Sequence, residues 1–184
     1  YMTRLKEMIA TGAATPHDLQ SNCQRQIITV LTQSIRKVEA EIQALIKSNL
    51  SLQRNYQLLK SIKGVGMIVA AYMIGFTENF QKFKNARKFN CYAGLAPFAY
   101  ESGTSIKGRS RVSHLANKQA KTLLNLAAAS AIQHDQELKG YYQRRTSEGM
   151  KGRSCLNIIR SKIVARIFAV VKRQTPYQPV RSAA

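Results

Sequence analysis

The chain is short of acid. Nine of its 184 residues are Asp or Glu, against 29 Lys or Arg, which leaves a formal charge of +20. The nine are Glu7, Asp18, Glu39, Glu41, Glu78, Glu101, Asp135, Glu137 and Glu148, most of them at surface or cap positions of the helices expected below. Two-metal phosphoryl transfer needs several carboxylates converging on the ions, so this chain alone is not expected to build such a site. Tryptophan is absent, and the three cysteines, Cys23, Cys91 and Cys155, lie more than sixty residues apart with no CxxC pair. That excludes a disulfide framework and a zinc ribbon and fits a reducing cytosol. His17, His114 and His134 are scattered without HxxxH or HExxH spacing and are read as non-ligands. No apolar run is long enough for a membrane span, and the start lacks the apolar stretch of a secretory signal. Without Trp or a strongly hydrophobic exposed face, the basic surface does not suit an anionic membrane either. There is no internal repeat and no low-complexity segment.

What is present is a core-forming hydrophobic fraction of 45% and an uneven charge. Residues 1–60 hold eight basic and four acidic residues, whereas residues 61–184 hold 21 and five. A field of that size raises the encounter rate of polyanions, and nucleic acid is the usual partner.

The expected architecture is all-α: a helical arm over residues 1–60, a compact helical domain over 61–174, and a disordered tail over 175–184. A short helix over residues 3–11 is followed by a helix start at Thr15-Pro16-His17-Asp18. Ile28, Leu31, Ile35, Val38, Ile42, Leu45, Asn49, Leu52, Tyr56 and Leu59 then step by alternating threes and fours, with no Gly or Pro between Leu19 and Ile62. This heptad stripe predicts a coiled coil, with Leu31, Ile35, Val38, Ile42, Leu45 and Leu52 at the seam of a homo-oligomer and Asn49 fixing register. One long helix of an intramolecular bundle is the alternative.

The composition changes at Ser61. Ser61-Ile62-Lys63-Gly64-Val65-Gly66 breaks the helix before an apolar helix from Met67 to Phe76. The outline is that of a helix-hairpin-helix, whose Gly64 and Gly66 would free amides to face a phosphate beside Lys63; a plain tight turn between helices fits equally. Asn85 caps a helix ending at Gly94, and Pro97 forbids continuation. Residues 98–113, FAYESGTSIKGRSRVS, have no helical period and are either strands or a loop, with an irregular, partly extended basic loop expected. Asn117 caps the next helix, which carries an Ala-rich core face, and a shorter helix spans residues 136–147. The last helix runs over about 153–173, with Leu156, Ile159, Ile163, Ile167 and Val170 inward and Arg153, Arg160, Lys162, Arg166, Lys172 and Arg173 on its other faces.

Within the irregular loop Ser102 lies between Glu101 and Gly103, shortly before Lys107, Arg109 and Arg111. A serine attacking a phosphodiester needs an exposed hydroxyl and neutralised phosphate charge. The glycine would admit a phosphate, and the three cations could hold it. A serine before a glycine is more commonly a turn residue, and Tyr100, Thr104 and Ser105 are no less eligible by position.

Four stretches together resemble a known family. They are LKSIKGVGMIVAAYMI at 59–74, FKNARKFNCYAGLAPFAYESG at 83–103, KGRSRVSHLANKQAKTLLNLAA at 107–128 and YYQRRTSEGMKGRSCLNIIRSKIVARIFAVVK at 141–172. In order and spacing they resemble the C-terminal transposase domain of the bacterial insertion-sequence transposases with an N-terminal DEDD, RuvC-like domain, the bridge-RNA-guided serine recombinases. The resemblance covers about two thirds of the chain, and the heptads before it look like the coiled coil joining that family's two domains. It implies that Ser102, the serine of the SG motif, is the nucleophile that forms a phosphoserine link to DNA. It also implies double-stranded DNA and a structured guide RNA as partners, held in part by Lys118 and Lys121, and a cytoplasmic, nucleoid-associated bacterial protein. No cofactor is implied for this chain; Mg²⁺ is expected only with the RuvC-like domain, of which this chain would be the C-terminal companion, inactive alone. Three positions depart from the pattern: Lys63 stands in place of a Pro, Ala116 in place of a Gly and Lys121 in place of an Arg. The alternative function is a non-catalytic helix-hairpin-helix module with a coiled-coil arm.

Overall fold

The computed structural model describes residues 2–11, 19–102, 106–112 and 116–179. Among these residues there are eight helices and one two-stranded hairpin, so the body of the protein is all-helical as expected. The chain forms two compact units, Tyr1–Ser48 and Asn49–Ala184.

In the first unit α1 (Met2–Ala10) packs on α2 (Leu19–Ser48). The predicted helix start at residues 15–18 lies outside the described residues. Ser21 and Gln24 near the start of α2 are buried. Further along, the predicted seam faces outward: Leu31, Ile35, Val38 and Leu45 are exposed, Leu45 by 67%, and Ile42 is half-buried. Thr29, Thr32 and Ser34 donate their hydroxyls to the carbonyls four residues earlier, which satisfies these polar groups within the helix.

The expected uninterrupted helix breaks at Asn49. That residue is extended (φ −124°, ψ 116°), and its side chain accepts from the amides of Ser51 at 2.9 Å and Leu52 at 3.2 Å. Asn is a poor interior helix residue and one of the best N-caps, so the local cap outweighs continuation of the seam. The division between units therefore falls at 48/49 and not at 60/61. Leu52, Tyr56 and Leu59 belong to the second core, with Leu59 fully buried. Their three-four spacing continues that of α2 because both helices are amphipathic.

The second unit comprises α3 (Leu50–Lys60), α4 (Met67–Phe76), α5 (Ala86–Tyr92), β1 (Phe98–Ser102), β2 (Ile106–Arg111), α6 (Lys118–His134), α7 (Gln136–Ser147) and α8 (Gly152–Arg173). The last helix is central and touches α3, α5, α6 and α7. Its Cys155, Ile159, Ile163, Val164, Ile167 and Val170 are fully buried, whereas Leu156 is only partly so. Asn85 and Asn117 cap α5 and α6 as expected, accepting from the amides of Lys88 and Ala120. Asp135 caps α7 through the Leu138 amide, and its second oxygen accepts from Arg166 at 2.7 Å. Arg166 also reaches Glu137 at 2.7 Å. It therefore does not decorate an outer face; it ties α8 to the start of α7.

Two connections differ from a simple turn. After α4 the residues Glu78, Asn79 and Phe80 all have positive φ (51°, 54° and 69°), a conformation L-residues resist. Thr77 clamps this turn by donating to the Met73 carbonyl and accepting from the Phe80 amide. Asn79 bonds Asn55 and Ser51, and Gln174 at the end of α8 bonds Asn55. The turn sets Phe80 edge-on to Phe168 and leads Phe83 onto Phe89. The segment after α8 is not disordered through residue 179: the Tyr177 amide donates to Ser61 at 2.8 Å, and Arg166 lies over the Tyr177 ring. Residues 180–184 lie outside the described set.

Residues 98–111 form an antiparallel hairpin and not an irregular loop. Phe98 pairs with Arg111, Tyr100 with Gly108, Glu101 with Lys107 and Ser102 with Ile106, with a register shift between Phe98 and Tyr100. Absence of a helical period left both strands and loop open; the local alternation of Phe98, Tyr100 and Ile106 with polar residues is the weak strand signal.

Between α3 and α4, Gly64 has φ +89°, and a Cβ there would stand 2.5 Å from the Ala127 carbonyl oxygen and 2.8 Å from Ala131 Cβ. Close seating of this turn on the alanine face of α6 accounts for the glycine. Gly64→Ala should lower the unfolding free energy by about 2–4 kcal/mol, from left-handed strain and overpacking. A urea midpoint unchanged from wild type would contradict this packing.

Candidate nucleic-acid interface

The candidate nucleic-acid-binding residues fall into three places. Lys63, Gly64 and Gly66 lie in the turn before α4, where a shallow depression of about 440 Å³ is also lined by Ser130 and His134 near the C-terminal end of α6. Gly66 is the N-cap of α4 and offers no side-chain bond to the first-turn amides. Lys107, Arg109 and Arg111 lie on β2, and Ser102 is the last residue of β1, at the register position opposite Ile106. Gly103, Thr104, Ser105 and His114 are outside the described residues. Ser102 stands four residue steps along the strand from the hairpin root at Phe98, roughly 13 Å.

The third place is a cleft between α6 and α8. Lys118, Lys121, Thr122, Asn125 and Arg160 line one part of it, about 340 Å³. A larger part, about 840 Å³, continues past Arg153, Ser154, Asn157 and Ser161 to Leu95, Pro97 and Val112. Pro97 and Val112 flank the hairpin, so the hairpin root forms one rim. The structure thus brings Lys118 and Lys121 together near the hairpin root, while the Lys63 turn sits at the opposite end of α6. From Lys121 to Ser130 is nine helical residues, roughly 13 Å.

Arg160, like Arg166, is not on the outer face expected for it. It is 8% exposed, between the buried Ile159 and Ile163. Its only hydrogen bond among the described residues is to Asn157 Oδ1 at 3.4 Å, and its Nε has no partner. Burial lowers its pKa from the usual arginine value. The available signal was its position one residue from Ile159 and three before Ile163, inside the apolar arc of α8. The neighbouring Asn157 donates to the Leu95 carbonyl at 2.8 Å, fixing α8 to the chain entering the hairpin.

No group of three His, Cys, Asp or Glu among the described residues could hold a metal ion. No helix among them is long and apolar enough to cross a membrane. The site is a cleft that is cationic and without acid among the described residues, beside a hairpin whose second strand carries Lys107, Arg109 and Arg111.

Comparison with known proteins gives this class a family context. Residues 56–143 match the family model described as Transposase IS116/IS110/IS902 family, a span that includes the turn, the hairpin, all of α6 and most of α7. An insertion element IS110 uncharacterized 43.6 kDa protein of Streptomyces coelicolor is 30% identical over 152 residues, covering 82% of this chain and 36% of that protein. The pilin gene-inverting protein of Moraxella bovis is 23% identical over 145 residues, 78% of this chain and 45% of that protein. A probable family 20 transposase of Pseudomonas aeruginosa is 25% identical over 159 residues, 83% of this chain and 44% of that protein. These matches support a transposase domain in this chain, which spans less than half the length of these curated relatives.

A buried, unpaired guanidinium is costly to a fold. Arg160→Met, which keeps the stem and removes the charge, should hold or raise stability by about 1 kcal/mol or more. A urea midpoint lower by that much would mean that Arg160 is structural.

Proposed function

We propose that this chain is the DNA-holding, serine-bearing part of a transposase or site-specific recombinase that mobilises an insertion sequence. The match of residues 56–143 to the transposase family carries the reading, since it encloses the hairpin on which Ser102 stands. In the proposed step the Ser102 hydroxyl oxygen attacks a backbone phosphorus. One phosphorus–oxygen bond of the strand breaks, the freed strand hydroxyl takes a proton, and a phosphoserine ester retains the other end. Attack by a strand hydroxyl on that ester reverses the step and frees the serine. Lys107, Arg109 and Arg111 on the facing strand would offset the phosphate charge, and Lys118 and Lys121 would hold the neighbouring backbone. Acidic residues and Mg²⁺ of a separate RuvC-like domain would complete the site, and a structured guide RNA would select the DNA. The Lys63–Gly66 turn acts as a helix-hairpin-helix only to the extent that the Gly66 end of α4 meets a phosphate. The non-catalytic alternative keeps the DNA and removes the serine from the chemistry.

The test is a denaturing gel of end-labelled target DNA incubated with Mg²⁺, guide RNA and the longer protein that contains this chain. A protein–DNA adduct is expected with wild type and not with Ser102→Ala. An adduct that survives the substitution would move the attack to another residue, and no adduct from either protein would favour the non-catalytic reading.

The same reading includes a homo-oligomer through α2. Its support is the outward stripe of Leu31, Ile35, Val38, Ile42 and Leu45; Asn49 and Leu52 are left out because one is a cap and the other packs on the second core. Sedimentation should give a multiple of the chain mass for wild type and the single-chain mass for a Val38→Asp, Leu45→Asp variant. A single-chain mass for wild type would contradict the seam.

A further inference from the structure

The cleft around Arg160 is unexplained by folding. A helix that buries seven side chains among apolar neighbours carries one guanidinium in that set, 8% exposed and without an ion pair. Elsewhere on the same helix Arg166 is nearly as enclosed, but it meets two carboxylates. Among the described residues no acid lines the cleft around Arg160; the other charged residues lining it are Lys118, Lys121 and Arg153. Thr122 and Asn125 add polar groups from α6 on the same wall. Four cations facing one cleft repel each other, and each contributes donors and no acceptor. The arrangement is complete only with an anion in it.

We propose that the α6–α8 cleft is a phosphate-binding site in which Arg160 is the buried anchor and Lys118, Lys121 and Arg153 are the rim. The anchor's planar fork suits the tetrahedral oxygens of a phosphate, and its low hydration makes burial less costly than for an ammonium. Four cations exceed what one carboxylate would neutralise, which favours successive phosphates of a strand over an acidic side chain of another protein segment. That the phosphates belong to nucleic acid rests on the transposase reading; that the cleft takes phosphate does not. The site is separate from the Lys63 turn and requires nothing of Ser102.

The test uses the whole chain and two probes. Inorganic phosphate, compared with chloride at equal ionic strength and pH, should raise the melting temperature of wild type. The rise should vanish in Arg160→Met. Fluorescence anisotropy with a labelled DNA duplex should show affinity falling about 10–100-fold in the same variant, the loss of one charge-assisted contact. Lys139→Gln, on the exposed face of α7, is the control and should lose little. Lys121→Glu provides a second variant should Arg160→Met misfold: it sets a carboxylate in the cleft beside Arg160 and should abolish the phosphate effect. Loss of the phosphate effect with unchanged duplex affinity would keep the anion site and overturn nucleic acid as its source. A phosphate effect equal in wild type and the variants, or none in wild type, would overturn the site.

Discussion

The second unit depends on the burial of one helix. Four other helices close around α8, and its apolar arc from Cys155 to Val170 is the common surface on which they meet. The remaining geometry follows from that packing. The alanine face of α6 lies close because its side chains are small, and Gly64 seats the α3–α4 turn on it. The left-handed turn at residues 78–80 is held by bonds from Thr77, Ser51 and Asn55, with Gln174 joining the end of α8 to the same group. The strained turn is thus over-determined by its surroundings.

The same helix carries two enclosed arginines that show two uses of charge. Arg166 bridges Asp135 and Glu137 and fixes the start of α7, so two of the nine acidic residues serve one structural joint. Arg160 has no such partner. In a chain with 29 cations and nine acids most basic groups stay unpaired, and on the surface water solvates them. Enclosed at 8% exposure beside three other cations, an unpaired guanidinium carries a cost that a polyanion removes. Four of the 29 cations line this cleft.

Much of the fold was legible. The helices of the second unit follow from apolar spacing and from Asn85 and Asn117, because caps and periodicity are local signals. Asn49 misled because its heptad position and its capping tendency predict different structures, and the cap prevailed. The hairpin is only weakly legible because residues 98–111 mix glycine, serine and charge with little alternation. The Tyr177 contacts and the 78–80 turn depend on residues far apart in sequence, which no window displays. In the candidate site, the basic cluster is legible from composition, whereas the preference for Ser102 over Tyr100, Thr104 and Ser105 comes only through resemblance. Lys118 and Lys121 line the cleft, whereas Arg160 is hidden in the sequence because an arginine on a helix is read as surface unless its place in the apolar arc is taken literally.

The central claim is that the unneutralised charge of this chain exists to hold a phosphate backbone. The most direct measurement is the affinity of the whole chain for a DNA duplex as a function of salt concentration. The account predicts that log affinity falls linearly with log salt, with a slope of about −0.9 for each phosphate engaged and several phosphates in total. An affinity that is absent at low salt, or indifferent to salt, would contradict it.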